Sequence, residues 1–182
     1  MNSEPTWQWD ESIPISTNFS DRTVVEAYDA RHRKFRDVDG ENADRLAKLQ
    51  LQPGQTVADF GCGTGAFVRA AARMGAQVWA IDLSVAMLDF TQWKAEEEGL
   101  GGIQCHQGGF LSYVHDAPPL DAVTSSLALH HLPDFWKQKA LNRMAGLLKP
   151  GGHFQLTDVV FPDDTDDRQV EAWVAGMESR AG

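Results

Sequence analysis

Cysteine is nearly absent: Cys62 and Cys105 stand alone, too few and too scattered for a disulfide framework or a zinc site, and in keeping with a reducing cytosol. Basic residues are scarce as well, 16 lysines and arginines against 26 aspartates and glutamates, for a net charge of −10. A chain of that sign is repelled by a phosphate backbone, so nucleic acid is not an expected partner. No uncharged stretch is long and unbroken enough to cross a bilayer, so no membrane partner is expected either. Met1 to Asp10 lacks both a basic cluster and the apolar run of a secretory signal, and a cytoplasmic location follows as the expectation. Internal repeats and low-complexity segments are missing too. What is there is one domain's worth of chain: 182 residues, 42% hydrophobic and 23% charged, the composition of a globular protein rather than a disordered one.

The first 55 residues carry no strong strand signal. Asp21 to Phe35 and Glu41 to Leu51 have apolar residues at helical spacing, and residues 1–55 read as a helical lid ahead of a core spanning 56–182. From Thr56 the texture changes to short apolar runs alternating with longer amphipathic ones, the signature of βα units. Strands are predicted at Thr56 to Phe60, Gln77 to Ile81, Gly102 to His106, Asp121 to Ser126 and His153 to Phe161. Helices are predicted after the glycine turn at 61–65 and stopping at Gly75, from Val85 to about Glu98 behind a Ser84 cap, and from Pro133 to Lys149. Pro150-Gly151-Gly152 reads as a turn, and the acidic tail after Pro162 becomes helical around Val170 to Met177. Five strands separated by helices predict an α/β fold with a doubly wound, mostly parallel sheet, whose ligands sit beyond the carboxyl ends of the strands.

The most informative stretch is Val57-Ala58-Asp59-Phe60-Gly61-Cys62-Gly63-Thr64-Gly65. Glycines at 61, 63 and 65 permit a tight strand-to-helix turn and close approach of a ligand to the backbone. Gly61, Gly63 and Ala66 also satisfy the dinucleotide fingerprint, so spacing alone leaves a nicotinamide cofactor open. Asp59 is read as the discriminator: a carboxylate there repels a pyrophosphate and favours a ligand bearing an ammonium group, which S-adenosylmethionine has and NAD has not. Asp82, at the end of the second strand, suits the two hydroxyls of a ribose in either cofactor.

With Ala80-Ile81-Asp82-Leu83-Ser84, the run Asp121 to Leu132 that ends in His130-His131-Leu132, and Leu148-Lys149-Pro150-Gly151-Gly152, the chain resembles a class I S-adenosylmethionine-dependent methyltransferase of the group acting on small molecules, over about Tyr28 to Phe161. The resemblance implies a Rossmann-like methyltransferase fold, with Asp59 and the glycine loop at the methionine end of the cofactor and Asp82 on the ribose. It further implies Leu83 and Met87 at the adenine, Phe110 and Leu127 completing the cofactor set, and Tyr28 as a lid residue. One position departs from the family pattern. After the third strand the family places an acidic residue that accepts from the adenine amine, and here Gly109 stands in its place, either leaving Gln107 or water as replacements or making room for a different adenine pose. An unreplaced charge-assisted hydrogen bond would lower affinity by about 1.5–3 kcal/mol.

Methyl transfer needs alignment and a dry site, and a base only where the acceptor loses a proton. His130 and His131, after the fourth strand, are the candidate bases, with strand capping and packing as the plain alternative. The histidines at 106, 115, 130, 131 and 153 share no ligand spacing, and no metal is expected. Trp7, Trp9, Phe19 and Tyr113 are either a wall over the acceptor pocket or simple packing, and the acidic run from Asp163 to Glu171 is a solvated helix start. The function expected is methyl transfer to a small-molecule acceptor. A cofactor-binding protein without catalysis and a NAD-dependent oxidoreductase are the competing readings. The family normally adds an antiparallel strand pair beyond the fifth strand, and only 21 residues follow Phe161. The expectation is therefore a C-terminally short core, from a truncated chain or one whose strand-five edge is covered by a second copy or a missing segment.

Overall fold

The computed structural model describes residues 7–13, 22–34, 36–162 and 164–181. Two helices, α1 (Arg22–His32) and α2 (Val38–Leu49), precede a run of β1 (Thr56–Phe60), α3 (Ala66–Arg73), β2 (Gln77–Asp82), α4 (Val85–Glu97), β3 (Ile103–Gln107) and β4 (Leu120–Ser126). A single 3₁₀ turn (Leu129–His131), α5 (Asp134–Ala145), β5 (Leu148–Thr157) and α6 (Asp167–Ala181) complete the chain. The strands lie in the order β3-β2-β1-β4-β5 and every pairing is parallel. The sheet is thus α/β and doubly wound as expected, all-parallel rather than mostly so, with no antiparallel strand among the described residues.

Strand alternation sorts the core into two layers. Ala58, Phe60, Trp79, Ile81 and Val123 face one side, where Trp136, Ala140 and Met144 of α5 cover them. Val57, Val78, Ala80 and Ala122 face the other, against Leu49 of α2, Phe67, Val68 and Ala71 of α3 and Leu88 of α4. Helix α1 docks by Val25 on Met87 and Phe90 of α4. The Thr64 hydroxyl donates to Asp29 of α1 at 2.5 Å, which ties that helix to the glycine loop.

Local signals fix most boundaries to within a few residues. Ser84 caps α4 by accepting from the Met87 amide at 3.2 Å, and Gly75 turns the chain after α3 at φ +87°. Two expectations fail at β5. The third long helix stops at Ala145 rather than Lys149, and Pro150-Gly151-Gly152 lies inside a strand that begins at Leu148 and ends at Thr157, short of Phe161. The reason is pairing: the step from Leu120 to Ala122 on β4 is matched by the step from Leu148 to His153 on β5, so the glycines form an irregularity within the ladder. As the outer strand, β5 leaves Phe154 and Leu156 partly exposed, with Val160 and Phe161 just beyond it.

Candidate functional site

A cavity of about 600 Å³ opens at the carboxyl ends of β1, β2, β3 and β4, a volume in the ordinary range for small-molecule sites. The three loop glycines serve three different ends. Gly61, at φ +68°, lies so near the segment after β4 that a Cβ would come within 2.5 Å of the Ala128 methyl. Gly65, at φ +74°, would strike Thr91 of α4 at 2.4 Å. Gly63, at φ +55°, has nothing within 4 Å of where a Cβ would stand, because it faces the cavity. A side chain there would fill the ligand's space, so the loop is a cradle whose backbone meets the ligand.

The structure gathers Tyr28, Gly61, Gly63, Asp82, Leu83, Met87, Phe110, Leu127 and His131 around this one cavity. Asp82 is held by its own loop neighbours, accepting from the Gly63 amide at 2.9 Å through one oxygen and from the Ser84 amide at 2.9 Å through the other. Burial, the largest influence, pushes its carboxyl above the ordinary carboxylate value against those amide donors. Leu83 is exposed into the opening, Met87 is buried, and the buried Phe110 stacks on Phe60 with centroids 5.8 Å apart. Leu127 carries the left-handed backbone at φ +54°, the kind of conformation that collects at binding sites. Trp9 also lines the cavity, whereas Tyr113 packs edge-on against Phe60 at 5.6 Å and Trp7 stacks on Trp136 at 5.8 Å. The two wall-or-packing alternatives therefore divide residue by residue. Phe19 lies outside the described residues.

Asp59, Gly65 and His130 do not line it. Asp59 is buried under the loop, where Arg45 of α2 donates to it at 2.7 Å while also donating to Thr124 at 3.0 Å and lying over the Phe67 ring at 4.0 Å. With its charge committed to Arg45, Asp59 is no longer the discriminator between cofactors. That role passes to the cavity wall itself. Its charged residues are Glu11, Asp82 and Asp89, and no lysine or arginine appears among the described lining residues. Such a wall suits a cationic ligand without phosphate and disfavours a pyrophosphate. The residues fit S-adenosylmethionine on these grounds: an open glycine cradle, a strand-end carboxylate at Asp82, apolar lining at Leu83, Met87 and Phe110, and acidic surroundings. Glu11 escaped the sequence reading, since nothing local marks a residue that reaches the site from far along the chain.

The paired histidines part ways. His131 lines the cavity beside Ala128 and Leu132. Partial withdrawal from water, followed by the neighbouring His130, lowers its pKa below the ordinary 6.5, with Asp158 opposing. The His130 ring instead turns to Asp158 after β5, Nδ1 to Oδ1 at 2.7 Å, and its backbone N–H donates to the other carboxylate oxygen at 3.0 Å. The two imidazoles are 4.3 Å apart between centroids. Asp158 thus anchors the turn that presents His131.

A family model described as a methyltransferase domain matches residues 57–152. An uncharacterized methyltransferase of Geobacillus kaustophilus is 35% identical over 163 residues, covering 90% of this chain and 69% of its own. A ubiquinone biosynthesis O-methyltransferase of Coxiella burnetii is 36% identical over 115 residues, 61% of this chain and 47% of that one. Among solved structures, a protein of Methanococcus maripaludis described as an S-adenosyl-L-methionine-dependent methyltransferase superposes with a TM-score of 0.67 at 17% identity. It is covered to 75% by 90% of this chain, a likeness of fold.

Proposed function

This chain belongs to the class I S-adenosylmethionine-dependent methyltransferases, and on that premise we propose that it methylates a small-molecule acceptor, with His131 as the base. The observation that carries the reading is a single cavity lined by Gly61 and Gly63 of the glycine loop, by His131 and by acidic and apolar residues. Bound S-adenosylmethionine supplies a methyl already activated on a sulfonium. The chain's own residues would hold it: Gly61 and Gly63 would give backbone room at the methionine end, Asp82 would accept from the ribose hydroxyls, and Leu83, Met87 and Phe110 would take the adenine. The segment 7–13 and helix α1 act as a lid, with Trp9, Glu11 and Tyr28 lining the opening, whereas α2 belongs to the core layer under the sheet. His131, neutral near pH 7, would take the proton of an acceptor hydroxyl whose oxygen receives the methyl as the methyl–sulfur bond breaks and S-adenosylhomocysteine leaves, while His130 and Asp158 are positioning residues for that ring. The relation to a ubiquinone biosynthesis O-methyltransferase favours an oxygen acceptor.

The test is release of S-adenosylhomocysteine against a panel of phenols, catechols and amines. Turnover of a hydroxyl acceptor is expected, with His131→Ala lowering kcat about 10²- to 10⁴-fold at nearly unchanged cofactor affinity. Binding of the cofactor with no turnover on any acceptor would replace this reading with that of a non-catalytic binding protein. Full activity in His131→Ala would leave methyl transfer standing and remove the base.

A further inference from the structure

The position where the adenine-recognising acid is missing is not empty. A Cβ built on Gly109 would lie 2.5 Å from the carboxyl carbon of Glu11, and 2.5 and 2.7 Å from its two oxygens. Glu11 comes from the N-terminal strap, 100 positions before Leu111 in sequence. One of its oxygens, Oε1, accepts from the Leu111 amide at 2.9 Å, the Ser112 amide at 2.8 Å and the Ser112 hydroxyl at 2.7 Å. The other, Oε2, is shut away from water with no hydrogen-bond partner, although Glu11 and Gly109 both line the cofactor cavity. A buried carboxylate oxygen left unpaired is unfavourable and calls for a donor, which a ligand N–H in this cavity would supply. The strap is pinned at a second point as well, where Trp7 stacks on Trp136 and the Lys139 ammonium sits 4.6 Å from the Trp7 ring centroid.

We propose that Glu11 reads the exocyclic amine of the cofactor's adenine, supplying from the N-terminal strap the carboxylate that the loop after β3 lacks at Gly109. The two positions are complementary. Glycine at 109 leaves the room that the Glu11 carboxylate occupies, and the three donors on Oε1 fix that carboxylate while Oε2 is left without a partner. Adenine presents N–H at this point, whereas hypoxanthine presents a carbonyl, so the base itself becomes the probe. The inference rests on the cofactor assignment made above, and the experiment separates the two.

Calorimetric titration of the full chain with S-adenosylhomocysteine and with S-inosylhomocysteine measures the preference directly. Wild type is expected to bind the adenosyl compound about ten- to hundred-fold more tightly. Glu11→Gln keeps an oxygen for the Leu111 and Ser112 donors and offers an amide N–H to the cavity. It is expected to move the adenosyl-to-inosyl ratio at least ten-fold toward the inosyl compound. Gly109→Ala, whose methyl must displace the Glu11 carboxylate, is expected to erase the preference in the same sense and provides the readout should Glu11→Gln fold poorly. A wild-type preference below two-fold, or a ratio unmoved by both substitutions while each affinity falls alike, would show that Glu11 only braces the 111–112 turn and overturn the inference. Failure of wild type to bind either compound would overturn the cofactor assignment itself, and this inference with it.

Discussion

Single residues carry the chemistry here through what surrounds them. His131 is partly withdrawn from water and sits 4.3 Å from a second imidazole, so its protonated form is disfavoured and its base form persists below the pH at which a free imidazole loses it. The sign follows: kcat/KM should hold as pH falls through 6.5 and decline only below it, and His131→Asn should abolish that acid limb. A limb centred above 6.5, or one that survives the substitution, would contradict the assignment of the base. At this scale the sequence was legible wherever the signal was local. Gly63, Asp82 and the Ser84 cap declare themselves by spacing to their immediate neighbours. Asp59 gave no sign of its partner, because Arg45 arrives from α2 and a buried ion pair leaves no local pattern. Glu11 was invisible for the same reason. Its only trace was the departure at Gly109, a gap that pointed to a missing carboxylate without saying where the replacement lay.

Elements matter as carriers of these groups. Helix α1 brings Tyr28 to the opening and is held by Val25 against Met87 and Phe90 and by the hydrogen bond from Thr64 to Asp29. Thr64→Val keeps the side chain's bulk and removes the hydroxyl, and one neutral-to-charged hydrogen bond is worth about 1.5–3 kcal/mol. Amide hydrogen exchange should therefore quicken in α1, with β1 and β4 unchanged, and S-adenosylhomocysteine should restore much of the protection. Equal loss of protection across the sheet would show that the bond supports the whole core rather than the lid. The βα alternation was readable because periodicity is a property of each element alone. The Pro150-Gly151-Gly152 boundary was not, since whether glycines end a strand or bulge within it depends on the register β4 imposes from outside.

At the scale of the whole molecule, strand order decides where the ligand goes. Placing β1 between β2 and β4 brings the glycine loop, Asp82 and the segment holding His131 to one end of the sheet, the crevice such folds use. The acidic balance of the chain, −10 overall, is echoed in a cavity whose charged lining residues are all carboxylates among those described. This charge pattern favours a sulfonium-bearing cofactor over a dinucleotide. The nicotinamide reading left open by the glycine spacing is answered by the family and by this wall. The most direct measurement is a parallel equilibrium titration of the full chain with S-adenosylhomocysteine and with NAD. Saturable binding of the first with a one-to-one stoichiometry, and none of the second, is the predicted result; NAD binding that displaces S-adenosylhomocysteine at comparable concentration would contradict the account.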